Sequence, residues 1–255
     1  MELIYLCFFA FLAGLIDAVV GGGGLIQLPA LLVFLPQVPI PTVFGTGKLA
    51  SIAGTTVSMA RYARSVKLNW KSLLPAAVAA FVFSFLGARA VSHFPADALR
   101  PVVLVLLVAV AIYTFKKKDL GALHAPKLTH IKELVYAIIA GAAIGFYDGF
   151  FGPGTGSFLI FIFIGVFGFS FVAASASAKV VNVATNLSAL GYFILKGFVL
   201  YQIAIPMAAC NIAGSLVGTR LAIKYGSGFV RRLFLVVVTA IILKFAYDTF
   251  FKGSF

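Results

Sequence analysis

The chain has 255 residues, of which 62% are hydrophobic and only 11% charged, with a mean hydropathy of +1.10. A soluble domain carries roughly 25% charged residues, so the composition excludes one and describes a polytopic membrane protein. The formal net charge of +13 comes from basic residues set singly or in short clusters between apolar runs, the pattern of positive-inside loops and not of a nucleic-acid-binding face. No polar stretch is long enough for an extramembrane domain, so one integral domain is expected. Cys7 and Cys210 lie in apolar surroundings with no CxxC spacing and read as reduced core thiols. His93, His124 and His130 fall in loops with no metal-site spacing, so neither a metal nor a cofactor is expected. Met1-Glu2 opens without a basic n-region, and the N-terminus reads as part of the mature protein.

Apolar segments are expected at about 3–35, 43–60, 73–91, 99–115, 134–167, 171–195, 199–221 and 229–250. Most approach the ~20 residues that cross a bilayer. The first and fifth exceed what one untilted helix needs, and each contains a glycine-rich break: Gly14-Leu-Ile-Asp-Ala-Val-Val-Gly-Gly-Gly-Gly24 and Gly145-Phe-Tyr-Asp-Gly-Phe-Phe-Gly-Pro-Gly-Thr-Gly156. Both segments are read as two half-helices meeting at the break. Turn signals follow, at Pro36 to Pro41 and at Gly165 to Phe169.

The two halves are related by a constant offset of 131 residues. It carries Gly14 to Gly145, Asp17 to Asp148, Gly21 to Gly152, Gly23 to Gly154, Lys48 to Lys179, Pro75 to Pro206, Gly87 to Gly218, Arg89 to Arg220 and Arg100 to Arg231. So many coincidences without a gap mark an internal repeat. Residues 1–115 form the first repeat, 116–132 a lysine-rich linker expected in the cytoplasm, and 133–255 the second repeat. In the first repeat Arg61, Arg64, Lys67 and Lys71 fill one loop, and Arg89 and Arg100 another. In the second, the equivalent of the first loop has only Lys196, while Arg220, Lys224, Arg231 and Arg232 fill the other. That swap is expected of inverted topology. Inversion needs an odd number of crossings per half, which follows if each glycine-broken segment is re-entrant and three further helices cross. The expected fold is therefore all-α, with two inverted-topology repeats in a bacterial cytoplasmic (inner) membrane.

Four ionisable residues fall inside apolar segments: Asp17, Lys48, Asp148 and Lys179. A charge at that depth costs at least a few kcal/mol and normally faces a partner or water. Asp17 and Asp148 are read either as proton carriers or as structural partners that hold the breaks. Lys48 shares a thin polar stripe with Ser51 and Thr55, and Lys179 with Asn182 and Asn186. The breaks supply backbone N–H groups at a helix start, at Gly21, Gly22, Gly23 and Gly24 and at Gly152, Gly154, Thr155 and Gly156, where the dipole favours an anion. These residues together compose an expected site for a small anion, its other partner being the bilayer. No histidine, cysteine or glutamate sits at depth beside a nucleophile, which argues against an intramembrane enzyme.

At these residues the sequence resembles the TauE/SafE family of membrane anion transporters, also called the 4-toluene sulfonate uptake permease family. Gly14 to Pro29 is similar to its N-terminal motif and Gly145 to Ser157 to its second-half motif. The resemblance spans nearly the whole chain and implies export or uptake of sulfite, sulfonates or related sulfur compounds. The alternative is a proton-coupled transporter of a cation or neutral metabolite in which the paired aspartates are the ligands.

Overall fold

The structure is a computed structural model that describes residues 1–95, 105 and 129–225. Among them are eight helices: α1 (Glu2–Val20), α2 (Gly24–Phe34), α3 (Ile40–Ala63), α4 (Trp70–Ser92), α5 (His130–Phe150), α6 (Thr155–Gly165), α7 (Phe171–Leu195) and α8 (Tyr201–Tyr225). The segments expected at 99–115 and 229–250, with Arg100 and Arg231, lie outside the described residues, as does the linker up to residue 128. His130, expected in a loop, opens α5. Five helices, α1, α4, α5, α7 and α8, are long and apolar enough to cross a membrane.

Both long apolar segments break at the glycines. At the end of α1, Gly21 adopts φ 75°, and between α5 and α6 Gly152 and Gly154 adopt φ 96° and 85°. These are left-handed conformations that side-chain-bearing residues rarely reach, so the chain turns where glycine allows it. The two arms of each break are unequal. α1 has 19 residues and α5 has 21, or about 30 Å at 1.5 Å per residue. α2 and α6 have 11 each, so the half-helix reading describes the second arm alone. Phe34 at the end of α2 stacks on Tyr5 at 5.5 Å and tilts against Phe9 at 6.0 Å, which returns α2 alongside α1 as a hairpin. Pro39 and Pro41 then start α3, where a missing N–H costs no helical bond.

Helix directions follow from contact register. A Cβ on Gly214 would fall 1.9 Å from the Phe11 carbonyl, and one on Gly218 2.3 Å from that of Leu15, so α1 and α8 are parallel at backbone contact. Gly141, Gly145 and Gly149 meet Ala76, Ala80 and Ser84 in the same manner, which makes α4 and α5 parallel. Ser215 and Thr219 lie against Gly54 and Ser58, so α3 runs with α8. Ser188 bonds the Phe81 carbonyl and Tyr192 meets Phe85, so α7 runs with α4. Only residues 64–69 join α3 to α4 and 196–200 join α7 to α8. Six residues reach at most about 21 Å, too short to return along helices of about 36 Å, so each joined pair is antiparallel. α1, α3 and α8 therefore run one way, and α4, α5 and α7 the other.

The glycine ladders replace side-chain interdigitation, as is usual where lipid supplies no hydrophobic drive between helices. Outward, Leu74, Val78, Phe81, Val82 and Phe85 of α4 and Val135 and Ile139 of α5 are exposed, a surface suited to acyl chains. Substitution tests the ladders. Gly14→Ala, whose Cβ would stand 2.1 Å from the Asn211 carbonyl, is expected to lower stability by about 1–3 kcal/mol through overpacking. Gly191→Ala, in α7 with nothing within 4 Å, is expected to raise it by about 0.5–1 kcal/mol. Thermal unfolding in detergent reads both.

Candidate functional site

The four intramembrane charges form two ion pairs, and each pair joins the two halves of the chain. Lys48 Nζ on α3 donates to Asp148 Oδ2 on α5 at 2.5 Å. Lys179 Nζ on α7 donates to Asp17 Oδ2 on α1 at 2.7 Å and also to the Asp17 carbonyl. The offset of 131 exchanges the two pairs. In both pairs the partner comes from the opposite half of the chain. Two opposite charges in mutual contact offset much of the cost that either alone would impose in a low-dielectric interior.

The pairs differ in their surroundings. Asp17 Oδ2 also accepts from Thr55 Oγ1 at 3.1 Å, and its carbonyl caps the α1 end by accepting from Gly21 N at 3.0 Å. Lys179 is 0% exposed, whereas Lys48 is 8% exposed. Gly152 holds the space beside the second pair open: a Cβ there would lie 3.3 Å from Lys48 Nζ and 3.6 Å from Asp148 Oδ1.

The two breaks meet backbone to backbone. A Cβ on Gly21 would fall 2.3 Å from the carbonyl carbon of Gly156, and one on Gly24 2.9 Å from Pro153 Cα. Ser157 joins them, its N–H donating to Gly21 O at 3.0 Å and its hydroxyl to Val20 O at 2.7 Å. The first amides of α6 thus approach the last carbonyls of α1, an alignment of opposite dipole ends. Neither α2 nor α6 has a side-chain cap; the amides of Leu25, Ile26, Thr155 and Ser157 donate to backbone carbonyls of the two breaks, and the dipole of each helix start remains directed at the junction.

Around this junction lies a cavity of about 70 Å³. Of the residues expected to bind a substrate, Gly21, Gly23, Gly24, Lys48, Ser51, Thr55, Gly152, Gly154, Thr155, Gly156, Asn182 and Asn186 form its wall, together with Asp17 and Asp148. Gly22 and Lys179 stand outside it. Thr155 is turned inward on its own loop, its hydroxyl donating to Gly152 O at 2.7 Å. Asn186 Nδ2 donates to Asn182 Oδ1 at 3.1 Å.

Two wall residues escaped the sequence reading. Gln27 Nε2 donates to the Gly47 carbonyl at 2.8 Å, and Asn211 Nδ2 donates to Gln27 Oε1 at 3.1 Å, a buried bridge from α2 to α3 and α8. The offset of 131 carries Gln27 to Phe158 and Asn211 back to Ala80, so a search for repeated polar residues passes over both. The usable signal is that Gln27 is a lone amide in an otherwise apolar helix. The cavity is one-sided for the same reason. Leu28, Leu31, Val43 and Phe44 extend its wall along α2 and the first turn of α3, whereas their counterparts Leu159, Ile162, Ala174 and Ser175 are not part of it.

A helical bundle with spanning-length apolar helices around a charged, glycine-walled cavity defines a multi-pass membrane protein of the transporter class. The family model described as "Sulfite exporter TauE/SafE" matches residues 6–245, and the chain belongs to that family. It is 34% identical over 246 residues to the probable membrane transporter protein ORF9 of Sinorhizobium sp, covering 96% of this chain and 93% of that protein. It is 32% identical to the probable membrane transporter protein YfcA of Escherichia coli K12, covering 96% and 89%, and 29% identical to a probable membrane transporter protein of Haemophilus influenzae, covering 93% and 92%. No solved structure matches the chain.

A double-mutant cycle in detergent tests the pairing. Removing one member of a buried pair is expected to cost about 3–5 kcal/mol, and removing both partners of one pair substantially less than the sum. Strong coupling is expected for Asp17 with Lys179 and for Asp148 with Lys48. Asp17 with Lys48, which form no ion pair with each other, should couple more weakly than either pair.

Proposed function

We propose that the protein is a secondary transporter that moves a small sulfur-containing anion, sulfite or an organosulfonate, across a bacterial cytoplasmic membrane by alternating access. The observation that carries this reading is the composition of the cavity wall: the uncapped starts of α2 and α6 and the Lys48 ammonium border one space. The carboxylates in that wall are already met by lysines, so the amide dipoles tip the balance toward an anion and away from the cation reading. Ser51, Thr55, Asn182 and Asn186 orient the substrate, and Gln27 and Asn211 are added to the set. The family description names sulfite, and the printed names of the relatives name no substrate.

Two inverted repeats, 1–115 and 133–255 joined by the linker 116–132, are the proposed machinery. Support comes from helix direction. The offset of 131 relates α1 to α5, α3 to α7 and α4 to α8, and in every case the two members belong to oppositely running groups. Further support is the one-sidedness of the cavity. It reaches toward the start of α3, while at the α6 to α7 corner Phe163, Phe167 and Phe169 stack on one another within 6 Å and are buried. With the basic loop 61–71 in the cytoplasm, the cavity extends toward the outside. An anion that moves outward without a proton across a cytoplasm-negative membrane gains about 2.3 kcal/mol per 100 mV, so export of the anion alone needs no ATP.

Uptake of labelled sulfite and short alkanesulfonates into proteoliposomes tests the reading. Wild-type protein is expected to transport, and Lys48→Ala to lose about tenfold to a hundredfold of the flux, the worth of a charged hydrogen bond. Wild-type flux in folded Lys48→Ala with Lys179→Ala would sink the assignment, as would stabilisation by cations alone in a thermal-shift screen.

A further inference from the structure

Resting on that reading, we propose that the two symmetry-related ion pairs have divergent roles: Lys48 and Asp148 are an exchangeable pair in which the anion takes the lysine and a proton takes the aspartate, whereas Lys179 and Asp17 are a fixed tether. Anion and proton then move together in one direction, and for a monovalent anion this carries no net charge, so the proton gradient and not the voltage sets the direction of transport.

The two lysines face different surroundings. Lys179 is fully buried, is absent from the cavity wall, and donates to both the carboxylate and the carbonyl of Asp17. Withdrawing it would strip a helix end and a carboxylate together. Lys48 lines the cavity and has Asp148 Oδ2 as its hydrogen-bond acceptor among the described residues. An ammonium has three donors, and those beyond the one given to Asp148 are in reach of a ligand beside Gly152, where no side chain intervenes.

Charge balance completes it. Two lysines and two aspartates leave the site neutral at rest. A bound anion makes it negative in a poorly screened interior, where an uncompensated charge is costly. When the anion draws the Lys48 ammonium to itself, Asp148 loses its cation. A proton from the aqueous side then adds to an Asp148 oxygen, while Lys48 keeps its three protons and its charge. Asp17 also lines the cavity, its side chain 13% exposed against 2% for Asp148, but Thr55 and Lys179 both continue to donate to its carboxylate, which makes it the poorer acceptor.

Other groups near Asp148 do not replace Lys48. On α5 itself Tyr147 gives its hydroxyl to Pro153 O at 2.6 Å. α4 brings Arg89, which is exposed, and α6 has no titratable residue. From α7 comes Lys179, held by Asp17. Across the cavity, α3 brings Tyr62, whose hydroxyl is bonded to Ala18 O at 2.8 Å.

Methanesulfonate is the probe, because it stays ionised at working pH and cannot itself carry the proton. In proteoliposomes with an internal pH dye, wild-type protein is expected to bring in a proton with each sulfonate. The residual sulfonate flux of Asp148→Asn is expected to carry none, Asp148→Glu to restore the coupling, and folded Asp17→Asn to retain it. A second measurement does not depend on a variant folding. Dicyclohexylcarbodiimide attacks protonated carboxyls in apolar surroundings, and mass spectrometry is expected to locate it on Asp148, with labelling increased by methanesulfonate. Sulfonate flux without proton flux, coupling that survives in Asp148→Asn, or labelling at Asp17 in place of Asp148 would overturn the inference and leave the transport reading standing. No flux of sulfite or methanesulfonate through folded wild-type protein would overturn both.

Discussion

Everything in this molecule is arranged around four charges that cannot be left alone in a membrane. Asp17, Lys48, Asp148 and Lys179 each impose a cost of a few kcal/mol at depth, and each is matched by a partner from the other half of the chain. The fold brings them together through helices that cross between halves: α1 lies along α8, and α5 along α4. Those contacts need backbone proximity, which is why glycine recurs on both faces. The charges and the glycines are therefore one design constraint. The pairs form only if the helices approach closely, and in lipid close approach depends on small residues.

A polar centre held in this way can do more than hold. Both pairs have a member on the cavity, but only in the pair of Lys48 and Asp148 is the lysine itself open to a competing anion. Gly152 marks the difference, since a Cβ there would press on Lys48 Nζ at 3.3 Å. The junction of the breaks adds a second layer. Ser157 ties α6 to the end of α1, and its counterpart Ile26 has no hydroxyl to do the same for α2 and α5. The offset of 131 that relates the two pairs does not extend to these residues, and single positions that depart from it make the two breaks inequivalent.

Much of this was legible in the residues. Apolar runs marked the helices because burial in lipid demands about twenty of them, and the expected segments coincide with the observed helices to within a few residues at α3, α4, α7 and α8. The glycine breaks were visible because four consecutive glycines are incompatible with an ordinary helix. The offset of 131 identified Asp17 with Asp148 and Lys48 with Lys179, and the wall of one cavity includes three of these four. What stayed hidden was which lysine meets which aspartate, because pairing is set by helix packing across halves and leaves no local trace. Gln27 and Asn211 stayed hidden for the opposite reason: they have no echo in the repeat, and a lone amide in an apolar helix reads as a minor irregularity until a neighbour is seen to bond it.

The cross-pairing also bears on how the protein is made. Asp17 and Lys179 are 162 residues apart in sequence, and Lys48 and Asp148 are 100 apart. At about 5–20 residues per second of synthesis, the first half emerges with an unmatched lysine and an unmatched aspartate for about 5–30 s before their partners follow. During that interval its charged segments have no permanent place in lipid. They must be sheltered by the insertion machinery or stay near the surface until their partners arrive. The halves are thus a repeat in sequence but not two independent units of assembly, and cutting the chain in the linker leaves each piece dependent on finding the other.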